Sequence, residues 1–236
     1  QIKIDKFIQK KFIDQCKWIR VFSKLTVPKV VNEFDCQIEK IIVVPEGSYI
    51  NYYPNKVKRQ EARERLKINT EKIFLYIGTI KPYKGIINLI DIFSKIKNDN
   101  IKLIIAGKVM DKNYLGEINN HINSSSIKLV NKFIDPNELQ IFFNAADAII
   151  LPFNNIENSG SAILAMGFKK VIIAPNIGIL PDRLKNQRDF LYTNNIERKI
   201  NLIISSEYND LLKIGNKNFS ELKKYKWSDF SLFFTN

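Results

Sequence analysis

Apolar runs of strand length recur along the chain, with stretches of helical spacing between them. They are KWIRVF (17–22), KIIVVP (40–45), KIFLYIG (72–78), IKLIIAG (101–107), SIKLVNKFI (126–134), DAIILPF (147–153) and KVIIAP (170–175). Several are apolar without alternation, which predicts strands covered on both faces. The intervening helices are recognisable by their ends. Asp135-Pro136-Asn137-Glu138 sets an acid before a first-turn proline, with glutamate at the capping-box position, and predicts a helix that carries Leu139, Phe142 and Phe143 inward. Alternating strand and helix predict an α/β fold built on a doubly wound, parallel, Rossmann-like sheet, whose ligands sit at the carboxyl ends of the strands. The alternation breaks at PEGSYINYYPNKVKRQEARERL (45–66), where Pro, Gly and Tyr precede a charged helix. This stretch reads as a hinge, and the boundary falls near Pro45.

The 236 residues, 45% of them hydrophobic, suffice for one large domain or two smaller ones. No run approaches the ~18 to 20 apolar residues that span a bilayer, and the N-terminus lacks the apolar stretch of a signal peptide, so a cytoplasmic location is the default. Cys16 and Cys36 match no metal spacing, and a single histidine, His121, excludes a multi-histidine site. Both cysteines are expected to be reduced and packed, and no metal is expected. The formal charge of +13 calls for an anionic partner, whether nucleic acid, phosphorylated metabolite or membrane surface. Nucleic acid is not expected, since no helix-turn-helix, zinc or RNP-like aromatic pattern accompanies the charge.

Two stretches carry candidate chemistry. In YIGTIKPYKGIINLIDIF (76–93) a strand ends at Gly78-Thr79, Lys81 and Lys84 follow through a proline turn, and an apolar-striped helix starts near Tyr83. A glycine lets the backbone approach a ligand closely, and two lysines at a helix start favour an anion, although solvated lysines are common there. In LPFNNIENSGSAILAMGF (151–168) a buried strand leads through a polar loop to Ser159-Gly160-Ser161 and a helix apolar almost all round. Such an N-terminus offers free amides to a phosphate, or is an ordinary serine cap. Two anion sites on one sheet edge favour pyrophosphate recognition.

Together, GTIKPYKG (78–85), IIAGK (104–108) and ADAIILPFNNIENSGSAILAMGFKKVIIAPNIGILPD (146–182) resemble the C-terminal, nucleotide-sugar-binding domain of GT-B glycosyltransferases of the family 4 and family 1-like group, in a Ser-Gly-Ser version found in bacterial polysaccharide enzymes. The resemblance spans roughly residues 40–192. CKWIRVFSKLTVPKVVNEF (16–34) is similar to the end of the acceptor-binding first domain, and YKWSDFSLFF (225–234) to the terminal helix that crosses back to it. The implied organisation is a remnant of the first domain at 1–44, the donor-binding domain at 45–220 and a crossover helix at 221–236. The implied activity is metal-independent transfer of a sugar, of hexosyltransferase class, from a nucleoside diphosphate to a glycan or lipid-linked acceptor in capsule or lipopolysaccharide assembly. The donor is a substrate, and no cofactor is implied. By position, Gly78, Thr79, Lys81, Lys84, Ser159, Gly160 and Ser161 match diphosphate contacts, and Lys132, Phe133, Ile134 and Glu138 fall in the nucleobase and ribose region.

The chain departs from the family where many members carry two glutamates, at Ile156 and Leu164 here. Glu157, one position off, is the candidate carboxylate near the sugar. The arginine usual after the first glycine is Thr79, and Glu46 is a further departure. Retention of anomeric configuration therefore stays open, as does a non-catalytic nucleotide-sugar-binding or scaffold subunit. In QIKIDKFIQKKFIDQCKW (1–18), Ile4, Phe7, Ile8, Phe12 and Cys16 share one helical face, with Lys3, Lys6, Lys10, Lys11 and Lys17 on others. This pattern suits peripheral attachment to the anionic inner face of the plasma membrane, or packing against another domain. Lys56, Lys58, Arg59, Arg63 and Arg65 read as a solvated basic face.

Overall fold

Strands covered on both faces need helices above and below them, and the chain supplies these by alternation. The computed structural model describes the backbone over residues 2–228 and side chains over residues 7–228. The strands are β1 (Ile19–Val21), β2 (Ile41–Val43), β3 (Lys72–Ile77), β4 (Ile101–Ala106), β5 (Ile127–Val130), β6 (Ala148–Ile150), β7 (Val171–Pro175) and β8 (Leu191–Tyr192). The helices are α1 (Ile2–Gln15), α2 (Val27–Phe34), α3 (Arg59–Leu66), α4 (Ile86–Lys95), α5 (Lys112–His121), α6 (Leu139–Ala145), α7 (Gly160–Gly167), α8 (Leu180–Arg183), α9 (Ile196–Ser205) and α10 (Tyr208–Leu222).

The chain divides into two compact units, one running to Ser48 and resumed from Tyr225, the other Tyr49–Lys224. In the first, β1 and β2 pair in parallel, Ile19 opposite Ile41. The helix expected at the N-terminus forms as α1, with Phe7, Ile8 and Phe12 exposed. Lys10 pairs with Asp35 at 3.3 Å, and the Lys40 ammonium donates to the Asp14 carbonyl at 2.9 Å. The Trp227 indole donates to the Ser48 carbonyl at 2.9 Å, and its ring lies where a side chain at Gly47 would project. Cys36 is buried as expected, but Cys16 is exposed and packs into no core. Of the crossover helix expected at 221–236, residues 221 and 222 end α10, and 229–236 lie outside the described residues.

The second unit holds a parallel sheet in the order β5-β4-β3-β6-β7-β8. The chain builds outward from β3 through β4 to β5, then returns to place β6 on the other side of β3. That reversal opens a crevice at the carboxyl ends of the central strands. Every residue of β3, β6 and β7 is buried, which explains why all but Lys72 are apolar; the Lys72 ammonium donates to the Ser206 carbonyl at 2.7 Å. β8 was not anticipated, because two residues are too short to make an apolar run.

Three local expectations need correction. Asp135 does cap its turn, its carboxylate accepting from the Asn137 amide at 2.8 Å, but no capping box closes and α6 begins only at Leu139. The Glu138 carboxylate turns instead to the Lys132 ammonium, at 2.7 and 3.0 Å. The helix expected near Tyr83 is a tight turn, Pro82–Lys84, separated from α4 by Gly85. Finally, Arg59 and Arg63 are no solvated face. Both bind the buried Asp147 carboxylate, at 2.7 and 2.6 Å, and that carboxylate also accepts from the Ile73 amide at 2.7 Å. This cluster ties α3 to the amino end of the sheet, away from the crevice.

Candidate functional site

β3 and β4 both end in glycines with φ in the left-handed half, Gly78 at +143° and Gly107 at +155°. A β-carbon on Gly107 would lie 1.8 Å from the Gly78 carbonyl oxygen, so the two strand ends touch only because position 107 has no side chain. A β-carbon on Gly78 would meet the Ser161 hydroxyl at 3.3 Å, which puts the start of α7 directly beside the end of β3.

The start of α7 is organised by Ser159. Its buried hydroxyl accepts from the Ala162 amide at 3.1 Å, and its carbonyl accepts from the amides of Ala162 and Ile163. Ser159 is thus the helix cap, its hydroxyl turned to the chain itself. The first-turn amides of Gly160 and Ser161 have no acceptor in the helix, and the positive end of the helix dipole points out with them.

A cavity of about 320 Å3 opens over these groups. It is lined by Ile77, Gly78 and Thr79 at the end of β3, Gly107 and Lys108 after β4, Phe133 and Ile134 after β5, Leu139, Gly160, Ser161 and Leu164 on the helices, and Tyr49 and Tyr53 from the preceding chain. The Thr79 carbonyl is held by the Tyr76 hydroxyl at 2.8 Å, and burial pushes that phenol far above its ordinary range. The loop after β4 is braced by the Asn131 carboxamide, which accepts from the Val109 amide at 2.9 Å.

Apart from Ser159, the residues singled out in the sequence fall into three groups. Gly78, Thr79, Gly160 and Ser161 meet in the cavity, with Phe133 and Ile134 on its wall. Lys132 and Glu138 neutralise each other outside its lining. Lys81, Lys84 and Glu157 also stand outside the lining. Lys84 is half-buried, its ammonium 4.1 Å from the Phe153 ring centroid and 5.1 Å from that of Tyr83. Burial, and secondarily the charge of Lys81, lower its pKa. No carboxylate pairs with it among the described residues. Gly85, at φ +70°, lets this turn close on the loop after β6, since a β-carbon there would lie 2.1 Å from the Pro152 carbonyl oxygen. Glu157 is exposed, and its carbonyl accepts from the Ile179 amide at 3.3 Å.

The sequence reading missed Tyr49, Tyr53, Gly107 and Lys108. The last two stood in the quoted IIAGK, where a glycine closing a strand was the available signal. The tyrosines reach the cavity from a stretch that reads as a hinge, and no local pattern announces a contact with α7 more than a hundred residues away.

The chain spans less than half the length of the curated relatives that it matches. It is 24% identical over 102 residues, 43% of this chain and 29% of the relative, to a GDP-mannose:glycolipid 4-beta-D-mannosyltransferase of Xanthomonas campestris pv. campestris. It is 23% identical over 185 residues, 73% and 43% of the respective chains, to a D-inositol 3-phosphate glycosyltransferase of Corynebacterium efficiens. Among solved structures, the sucrose-phosphate synthase of Thermosynechococcus elongatus superposes with a TM-score of 0.81 at 16% identity, over 99% of this chain and 60% of that one. The Anabaena protein HepE, in complex with UDP-glucose, superposes with a TM-score of 0.82 at 15% identity, over 94% and 63%. The fold is that of GT-B glycosyltransferases. The sequence profile described as "Glycosyl transferases group 1" matches residues 58–220, and the chain belongs to that family.

Proposed function

We propose that the cavity at the carboxyl ends of β3 and β4 binds a nucleoside diphosphate sugar, and that the protein transfers the sugar to a glycan or lipid-linked acceptor in cell-surface polysaccharide assembly. One observation carries this reading: the Gly160 and Ser161 amides, without an acceptor in their own helix, lie beside two strand ends that glycines leave open. A diphosphate there meets N–H donors and the helix dipole, while the nucleobase extends towards Phe133 and Ile134. Departure of the nucleoside diphosphate builds negative charge on its oxygens, and fixed amides and cations stabilise that charge without a metal. Lys84 supports an anionic ligand, being half-buried beside Lys81 with no carboxylate paired to it among the described residues. We assign Lys81 and Lys84 to the rim, from which their ammonium groups meet the phosphates of a bound donor.

The relatives agree with this class of chemistry. One is a GDP-mannose-dependent glycolipid mannosyltransferase, and HepE is in complex with UDP-glucose. A hexosyl donor follows by analogy, with Glu157 the candidate carboxylate if the loop after β6 rearranges around the sugar. No helix among the described residues is long and apolar enough to cross a membrane. Attachment to an anionic surface would rest on α1. A second reading, binding without transfer, is favoured by a cavity lining that holds no carboxylate.

Calorimetry with GDP, UDP and their sugars tests the proposal. Saturable binding of at least one nucleoside diphosphate, lost in Ser161→Pro, is the expected result. Absence of binding to all of them removes it. Sugar transfer from a bound donor, assayed with membrane extracts as acceptor, separates the enzyme from the binding subunit.

A further inference from the structure

We infer that Tyr49 positions the donor's phosphates by donating a hydrogen bond from its hydroxyl to a phosphate oxygen seated at the start of α7; this rests on the nucleotide reading of the same cavity. The hydroxyl lies 3.8 Å from the point where a β-carbon on Gly160 would stand. At that distance, an ordinary van der Waals contact, the hydroxyl stands over the first turn of α7, and Tyr49 lines the same cavity as Gly160 and Ser161.

The chemistry of the cavity favours this role. Its lining offers four hydroxyls, on Tyr49, Tyr53, Thr79 and Ser161, one ammonium on Lys108 and no carboxylate. A phenol is a good donor to an anion, and hydrogen bonds to charged groups are about twice as strong as neutral ones. The Tyr49 ring is also held in place before any ligand arrives, its centroid 6.4 Å from that of Tyr52 and 6.2 Å from that of Tyr53 in tilted contacts. An aromatic side chain fixed in this way loses little freedom when its hydroxyl is engaged.

The test is Tyr49→Phe, which keeps the ring and removes only the donor. Affinities for a nucleoside, its monophosphate and its diphosphate are measured by calorimetry, with Tyr52→Phe as control, since Tyr52 lies outside the cavity lining. In Tyr49→Phe, diphosphate affinity should fall about 5- to 20-fold while nucleoside affinity stays within twofold, and thermal melting should be unchanged. A structural role would weaken all three ligands together. Equal losses for nucleoside and diphosphate, or no loss for either, would overturn the assignment while leaving nucleotide binding intact. If the unmutated protein binds no diphosphate at all, both the assignment and the nucleotide reading fall.

Discussion

Gly107→Ala should damage both the fold and the cavity, and the size of the effect follows from two distances along the backbone. At φ +155° an alanine is strained wherever its β-carbon points. Here it points at the Gly78 carbonyl oxygen, 1.8 Å away, with the Gly78 carbonyl carbon at 2.9 Å. Neither neighbour is the mobile end of a side chain, so β3 and β4 must separate at their carboxyl ends. Backbone strain of this kind costs ~1 to 3 kcal/mol and overpacking a similar amount. One displacement relieves part of both, which gives a net loss of about 2 to 4 kcal/mol.

A domain of this size is stable by roughly 5 to 15 kcal/mol, so the variant should still fold and its binding can be measured. Urea unfolding of wild type and variant supplies the first number, and calorimetric titration with the tightest nucleoside diphosphate the second. The Gly78 amide that donates to Ala106 at 3.0 Å and the Ser161 hydroxyl beside Gly78 would both move, so affinity should fall at least tenfold. A Gly107→Ala variant within about 0.5 kcal/mol of wild type and equal to it in affinity would show that the strand ends do not form the floor of the site.

Further outcomes are open to measurement. Asp147→Ala leaves two guanidinium groups and the Ile73 amide without their acceptor and should cost about 3 to 5 kcal/mol in urea unfolding; a loss below about 1 kcal/mol would refute the cluster. Lys170, buried with its ammonium on the Ala146 carbonyl at 3.0 Å, has its pKa pushed down to about 8, first by burial. Between that value and the ordinary lysine value the unfolded chain holds a proton that the folded chain has released, so stability should rise by about 1 to 2 kcal/mol from pH 8 to about pH 9.5; a Lys170→Met variant with the same slope would refute this. Gly160→Val directs a branched side chain towards Tyr49 over the start of α7, so donor binding should disappear at nearly unchanged melting temperature. Lys84→Ala should weaken diphosphate binding by about 1.5 to 3 kcal/mol, as for a lost charge-assisted bond, and unchanged affinity would place Lys84 outside the site.

The division between what the sequence revealed and what it hid follows the range of the interactions. Strands β3 and β7 were legible because burial on both faces writes an uninterrupted apolar run into five consecutive residues, and β4 carries a run of four at 103–106 after the half-buried Lys102. β8, held by two residue pairs to β7, leaves no such run. Gly78 and the Ser-Gly-Ser turn were legible because a strand end or a helix start must satisfy its backbone locally, and few residue types can do so. Asp147 was hidden for the opposite reason. It looked like one polar residue before a strand, while its partners Arg59 and Arg63 looked like part of a charged helix, and more than eighty residues separate them.

The same distinction explains why the lysines were the least secure part of the reading. A glycine's role is fixed by the backbone around it, whereas a lysine's ammonium sits at the end of a long stem and is placed by whatever lies across the fold. Lys132 finds Glu138, six residues on, and spends its charge there. Lys84 finds the Phe153 ring, which belongs to the loop after β6, and pairs with no carboxylate among the described residues. The proline turn and Gly85 bring these two loops together, Gly85 against Pro152, so the position of Lys84 depends on a contact separate from the one that sets Ser161 beside Gly78. A substitution that opens the Gly85 contact without touching the cavity lining, such as Gly85→Ala, therefore separates the two contributions. It should displace the Lys84 ammonium from the phosphates and leave the Gly160 and Ser161 amides in place. Its loss of diphosphate affinity should match that of Lys84→Ala and should not add to it in the double variant. Additive losses would mean that the loop acts on the site by a route other than Lys84.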